Sequence, residues 1–169
     1  MKLDWKNVVL VVALVAVVAV VAITLFSDGA GTDRTVTTNL TINFYDAPDV
    51  AVHKGNITTW TLVNGEWTYT SEAQQGGNTT WIFQGITGRS NCYDQVKAAV
   101  EIAGTSLAAE DQPFGTFVKS IDGVDNEEHD SRGWQYYVND VYSNKACNKY
   151  AINDDDIVRW EYIKNPFAS

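Results

Sequence analysis

The side chains best suited to binding chemistry crowd a hairpin and a strand near the C-terminal end: Trp134, Tyr136, Tyr137, Tyr142, Trp160 and Tyr162. Indole and phenol rings stack on flat molecules and carry one polar atom each. Neighbouring residues of a strand face opposite sides, so some of these rings point outward. Packing in the core and an outward recognition surface both stay open. The candidate ligand-binding residues are Trp134, Tyr136, Tyr137, Asn139 and Tyr142.

Two acidic loops offer oxygen ligands, one with Asp125, Glu127, Glu128, His129 and Asp130 and the other with Asp154, Asp155 and Asp156. Oxygen-rich loops suit Ca²⁺, but neither loop has the ligand spacing of an EF-hand. A solvated acidic loop and a weak cation site are the alternatives, and we predict no metal. His53 and His129 are the only histidines, and no motif for nucleophilic or metal-assisted hydrolysis occurs. The sequence therefore predicts a protein that is not an enzyme.

The two cysteines, Cys92 and Cys147, are predicted to form a disulfide if this part of the chain is outside the cell. A reactive Cys92 is the alternative, because a helix N-terminus can lower a thiol pKa.

An apolar run of 19 residues, 8–26, reaches about 28 Å as a helix, close to the ~30 Å hydrocarbon core of a bilayer. Lys2 and Lys6 precede it, which places the N-terminus inside. We expect a cytoplasmic segment 1–7, a transmembrane helix 8–26, a linker 27–34 and an extracellular domain 35–166. A cleaved signal peptide and a buried helix of a soluble protein are the alternatives.

Residues 27–169 hold 20 acidic and 10 basic residues, a net charge of −10. This charge disfavours nucleic acid as a partner. Asparagines of three Asn-x-Thr triplets, Asn39, Asn56 and Asn78, are glycosylation candidates on an external surface.

Alternating patterns predict strands at 35–45, 79–86, 114–121 and 157–163. Asn64-Gly65 predicts a hairpin that pairs Leu62 with Trp67 and Trp60 with Tyr69. Helical spacing predicts a helix over 90–104, capped by Ser90 or Asn91 and ended by Gly104. A second hairpin turns at Asn139-Asp140. Segments 71–78 and 105–113 are expected to be loops. One helix among strands indicates an α+β domain with a mostly antiparallel sheet.

The C-terminal half resembles the transcobalamin-like C-terminal domain family, over about residues 90–162. The segments that carry the resemblance are the helix Cys92–Ala99, the strand and turn Phe114–Val124, the hairpin Gly133–Asn139 with its Gly-Trp-x-Tyr-Tyr-Val-Asn sequence, and the end Asp154–Tyr162. The family has glycine where this chain has Asp140 and Asp155, so both turns are expected to change geometry.

This resemblance implies a β-grasp-like sheet on one helix, and an extracellular, cell-surface binding role in which a cobalamin or other corrinoid is a candidate ligand. The full expectation is an α+β, β-grasp-like domain preceded by one transmembrane helix, exposed at the cell membrane as a single-pass protein. It would bind an unknown small molecule or a cell-surface protein. One alternative is a structural glycoprotein of the cell envelope or an adhesion glycoprotein. A further alternative is a surface hydrolase.

Overall fold

The computed structural model of the chain describes residues 33–47, 54–127 and 131–164. These residues form ten strands and one helix. The strands are β1 (Thr35–Asn43), β2 (Asn56–Val63), β3 (Glu66–Ala73), β4 (Thr80–Arg89), β5 (Leu107–Gln112), β6 (Gly115–Ile121), β7 (Val124–Asp125), β8 (Arg132–Val138), β9 (Val141–Tyr142) and β10 (Ile157–Lys164). The helix, α1, spans Cys92–Ala103 between β4 and β5.

Seven strands form one mixed sheet in the order β3-β2-β4-β1-β10-β8-β9, and the other three form a small antiparallel sheet, β5-β6-β7. Within the large sheet, β1 runs parallel to β10 and β2 runs parallel to β4. The first and last strands of the described chain are therefore neighbours at the sheet centre.

The core lies on one face of the large sheet. Apolar residues alternate along each strand, so the predicted inward sets Leu40, Ile42, Phe44 and Val158, Trp160, Tyr162 are all buried. Helix α1 packs on this face and buries Val96, Ala99 and Val100. Trp60 stacks on Phe83 at 4.6 Å between ring centroids, which extends the core toward the β2–β3 hairpin.

The predictions of the β2–β3 hairpin and of the helix ends, which rest on turn and cap residues, are confirmed. The β2–β3 hairpin pairs Leu62 with Trp67 and Trp60 with Tyr69, as predicted. Asn91 is the cap of α1, because its Oδ1 accepts from the backbone N–H of Asp94 at 2.8 Å. Gly104 ends the helix in the left-handed conformation, with φ of 70°.

The predicted fold class, an α+β, β-grasp-like domain with one mostly antiparallel sheet behind a transmembrane helix, is wrong. The described chain is mostly strand, with a mixed large sheet and a second sheet. Two reasons account for this. Segment 105–113, predicted as a loop, contains β5, whose residues are mostly exposed and lack an apolar face. The parallel pairs join strands distant in sequence, which a local pattern does not reveal.

The predicted transmembrane helix 8–26 lies outside the described residues. Within the described ranges, no helix combines the length and the apolar character that a bilayer span requires.

The predicted disulfide is not formed: Cys92 and Cys147 are both free, buried thiols. Their segments are adjacent, since the N–H of Tyr93 donates to the carbonyl of Cys147 at 3.2 Å. The Cys147 thiol instead donates to the carbonyl of Thr116 at 3.1 Å. Burial raises the pKa of Cys147 to about 12 and raises the pKa of Cys92 as well. These thiols are therefore protonated packing groups, contrary to the alternative of a reactive Cys92.

A buried amide joins α1 to the sheet. Gln95 is fully buried, accepts from the Thr38 hydroxyl at 3.0 Å and donates to the Arg89 carbonyl at 3.1 Å. We predict that Gln95→Ala lowers the free energy of unfolding by about 2–4 kcal/mol, because it leaves a cavity and the buried hydroxyl of Thr38 without its partner. Lys97→Ala, on the exposed side of the same helix, should change it by less than about 0.5 kcal/mol. Equal effects in urea titrations would contradict this role for Gln95.

The buried thiols predict a loss of stability at alkaline pH. An unfolded thiol ionises near pH 8.5, whereas folded Cys147 stays protonated to about pH 12, so stability is full below pH 8.5 and falls above it. Each thiol contributes a slope of at most about 1.4 kcal/mol per pH unit. Under reducing conditions, Cys147→Ala should flatten the decline of the unfolding free energy between pH 8.5 and 10. An unchanged slope would show that Cys147 does not titrate on unfolding.

Candidate functional site

A cleft of about 250 Å³ opens between the two sheets, where β6 faces β8 and the loop after β9. Its walls come from β6, β8, β9, β10 and residues 143–147. Three exposed aromatic side chains stand at its rim: Phe114, Phe117 and Tyr142, which are 67%, 44% and 42% accessible. The described part of the chain thus displays three large rings around one concavity.

The back of the cleft is held by buried aromatic residues of β8 and β10. Trp134, Tyr136 and Trp160 all line it and are at most 6% accessible. The indole N–H of Trp134 donates to the carbonyl of Val124 at 2.8 Å, which ties β8 to the small sheet. Tyr136 packs on Trp160 with ring centroids 5.1 Å apart. These rings are fixed by packing, so the cleft is preformed rather than assembled by a ligand.

The loop after β9 is anchored by one phenol. The Tyr136 hydroxyl donates to the carbonyl of Lys145 at 2.7 Å and accepts from the Ser143 hydroxyl at 2.6 Å. The backbone N–H of Lys145 in turn donates to Ser143 Oγ at 3.2 Å. Burial raises the pKa of Tyr136, with the Ser143 hydrogen bond opposing it. The Tyr136 phenol therefore stays neutral, and its hydrogen bonds hold the loop after β9 in place at the wall of the cleft.

Gly115 lets β6 approach this loop closely. It has a φ of 131°, and a Cβ there would lie 2.5 Å from Asn148 Oδ1 and 2.6 Å from Ala146 Cβ. Asn148 Oδ1 accepts from the N–H of Thr116 at 2.9 Å. A side chain at position 115 would push the two walls apart, so glycine sets the width of the cleft.

The five predicted ligand-binding residues separate into two groups. Trp134, Tyr136 and Tyr142 line the cleft. Tyr137 lies on the other face of β8, where the Arg159 guanidinium sits 4.7 Å from its ring centroid. Burial raises the pKa of Tyr137, and the nearby Glu161 carboxylate adds to this. Asn139 belongs to the turn after β8, and neither it nor Tyr137 lines the cleft.

Sequence reasoning missed Phe114, Phe117 and the loop 143–147. A signal existed for Phe117, because it occupies the outward register of β6, between Thr116 and Val118, which face the core. A large apolar residue on a polar face is the kind of exception that marks a surface site. The loop had no such signal, since only its hydrogen bonds to Tyr136 place it at the cleft.

In the acidic turn Asp154–Asp156, the carboxylates of Asp154 and Asp156 accept hydrogen bonds from backbone and side-chain donors. Asp154 Oδ1 accepts from the N–H of Thr37 at 2.9 Å, and Asp156 accepts from the N–H of Asn153 at 2.7 Å and from the Asn139 amide at 2.8 Å. Asp140 and Asp155, at which the resembling family has glycine, adopt left-handed φ values of 65° and 67°. Glycine is the residue that adopts this conformation most readily.

Within the described ranges, no group of three or more His, Cys, Asp and Glu residues is placed to hold a metal ion. His53, Glu128, His129 and Asp130 lie outside those ranges. The glycosylation candidates stay predictions. Asn39 Oδ1 accepts from the N–H of Gly85 at 3.0 Å and the Asn56 amide donates to Ser71 Oγ at 3.0 Å, while Asn78 lies in the loop before β4.

A family model described as a domain of unknown function (DUF4430) matches residues 93–164. This match runs from α1 to the end of β10 and includes every residue that lines the cleft. It falls on the stretch, 90–162, that carries the resemblance seen in the sequence. No curated protein matches the chain.

Two solved structures are among those that match the chain. Haptocorrin in complex with Cbi matches with a TM-score of 0.46 and 13% identity, over 77% of this chain and 26% of that one. A putative metal binding protein from Ruminococcus gnavus ATCC 29149 matches with a TM-score of 0.37 and 10% identity, over 65% of this chain and 97% of that one. The chain thus corresponds to about a quarter of the haptocorrin chain.

Proposed function

We propose that this chain is a binding module that captures a small molecule in the cleft between its two sheets and catalyses no reaction. The observation that carries this proposal is the ring of exposed aromatic residues, Phe114, Phe117 and Tyr142, around a preformed concavity. Exposed apolar groups gathered at a concave site are typical of ligand-binding surfaces, whereas scattered ones need no explanation.

The chemistry of the cleft supports binding rather than catalysis. Among the described residues, its lining includes no carboxylate and no histidine that could act as a general acid or base. The Tyr136 phenol and the Cys147 thiol have pKa values raised by burial and donate hydrogen bonds to backbone carbonyls. Groups held neutral in this way position the walls and offer little reactivity.

The size of the cleft limits the ligand. Pockets for drug-sized molecules have volumes of roughly 300–1,000 Å³, so about 250 Å³ suits a single ring system or one edge of a larger molecule. A corrinoid stays a candidate ligand on the sequence resemblance of residues 90–162, and it would insert only one edge. Addition of cobinamide to the purified protein, followed by gel filtration and visible absorbance, tests this candidate directly.

We also propose that the module is displayed outside the cell and held at the membrane. The support is the sequence of residues 1–27, with lysines before the apolar run and none directly after it. Protease added to intact cells should remove the described domain. A domain that is protected in intact cells and is digested only after lysis would lie inside the cell.

Removing a rim aromatic should weaken binding without unfolding the protein. We expect Phe114→Ala and Tyr142→Ala each to lower ligand affinity by about 1–2 kcal/mol, a factor of roughly 5–30, because each ring offers a large stacking surface. Native mass spectrometry of protein purified from its host would measure the retained ligand. Tyr69→Ala is the matched control, since Tyr69 is 57% exposed on β3, away from the cleft. Equal retention in all three variants would refute the cleft as the binding site.

A structural or adhesive role is a second candidate, favoured by the edge of the large sheet. Strand β3 is eight residues long, lies at the edge and is exposed along nearly its whole length. Its hairpin also exposes Leu62, Val63 and Tyr69, which are 49%, 49% and 57% accessible. A long exposed edge with apolar residues is a template for pairing with another chain.

Charge on this edge should then prevent self-association. If chains pair through β3, Tyr69→Lys should shift the protein toward monomer in sedimentation equilibrium, because facing lysines repel and resist desolvation. Tyr45→Lys, at an exposed tyrosine outside the strands, should leave the association unchanged. A wild-type protein that is monomeric at high concentration would remove this candidate.

A further inference from the structure

The charge of the cleft differs from that of the domain around it. Residues 27–169 carry a net charge of −10, yet the only charged residue among the described lining is Lys145. Lys145 is exposed, and its ammonium lies 5.6 Å from the Tyr150 ring centroid. A site with one cation and no carboxylate favours an anionic ligand over a cationic one.

Two polar groups at the cleft have no partner among the described residues: the indole N–H of Trp160 and the side-chain oxygen of Gln135. Trp160 is 2% accessible and lines the cleft, and its indole N–H has no hydrogen-bond acceptor among the described residues. The polar atoms of Trp134 and Tyr136 are satisfied, since Trp134 donates to Val124 and Tyr136 bonds to Lys145 and Ser143. A buried donor without an acceptor costs free energy, which an acceptor atom of a ligand would recover.

We propose that the cleft binds a small aromatic carboxylate. The flat ring would stack among Phe114, Phe117 and Tyr142, the negative charge would be stabilised by Lys145, and an acceptor atom would take the hydrogen bond of Trp160. The volume of about 250 Å³ fits one fused ring system. This inference rests on the proposed function and specifies the ligand class of the same site.

The first test compares two probes with the same ring and opposite charge. Quinoline-2-carboxylate and 2-(aminomethyl)quinoline are titrated into the full-length protein by calorimetry at low ionic strength. We expect the carboxylate to bind at least about tenfold more tightly than the amine. Cyclohexanecarboxylate, which has the charge without the flat ring, should bind more weakly than the quinoline acid. An amine that binds as tightly as the acid, or no measurable binding of the acid, would overturn the inference.

The second test removes single features of the site. Lys145→Gln should abolish most of the preference for the acid, whereas Lys149→Gln, which removes the same charge from a residue outside the lining, should preserve it. Trp160→Phe removes the unpartnered N–H and should weaken binding of the acid roughly 3–10-fold.

Trp81→Phe provides the matched control for the indole. Trp81 is equally buried, its N–H also has no acceptor among the described residues, and it does not line the cleft. The Trp81→Phe variant should bind quinoline-2-carboxylate as tightly as the wild type does. Urea titrations should show that the Trp81→Phe and Trp160→Phe variants are both folded. Equal losses in the two variants would make the effect of Trp160 structural and refute its hydrogen bond to the ligand.

The two proposals fail in different ways. If Phe114→Ala and Tyr142→Ala reduce retention of the host-derived ligand while quinoline-2-carboxylate does not bind, the cleft is the site and the ligand class is wrong. If neither variant changes retention and the acid does not bind, both proposals are wrong.

Discussion

The parallel pairing of β1 with β10 is the constraint on which the remaining structure depends. It sets Asn39 opposite Ile157 and Asn43 opposite Glu161, joining residues about 118 positions apart at the centre of the large sheet. Closing so long a loop costs conformational entropy, which must be offset by contacts made only after closure. Trp81 on one side and Trp160 on the other then share one continuous buried face.

Polar groups at the end of this pair fix its register. Asp154 and Asp155 bond to the backbone of Thr37, and the Arg34 guanidinium donates to Asn153 Oδ1 at 2.7 Å. A shift by one residue would break these bonds and turn the aromatic residues of β10 toward solvent. The acidic turn therefore helps to fix the strand register, since the carboxylates of Asp154 and Asp156 accept hydrogen bonds from the backbone N–H groups of Thr37 and Asn153.

The same register determines which aromatic residues face the core and which face the other side of the sheet. Because β8 pairs with β10, Trp134 and Tyr136 face inward with Tyr162 and Trp160, while Tyr137 is left on the other face with Arg159. The inward rings form the back of the cleft. Phe117 of β6 and Phe114 of the turn before β6 stand at its rim. The cleft is therefore a consequence of packing a second sheet against this end of the core.

Much of the local structure follows from the sequence alone. Asn64-Gly65 determines the β2–β3 register, because both positions need positive φ and both strands agree on their apolar face. Asn91 and Gly104 bound the helix, and alternation identifies the buried faces of β1 and β10. Trp134, Tyr136 and Tyr142 could be named as candidates because their ring chemistry is visible in the sequence.

The fold class and the site required the tertiary structure. The parallel strand pairs and the second sheet depend on contacts between segments that are distant in the sequence. Strand β5 is mostly exposed, so its sequence has no alternating hydrophobic pattern from which a strand could be predicted. Whether Tyr137 or Phe117 faces the cleft is decided by register and by what packs on each face. The hydrogen bond of the Cys147 thiol to Thr116 likewise exists only once remote segments meet, and so does the burial of the Trp160 N–H without an acceptor among the described residues.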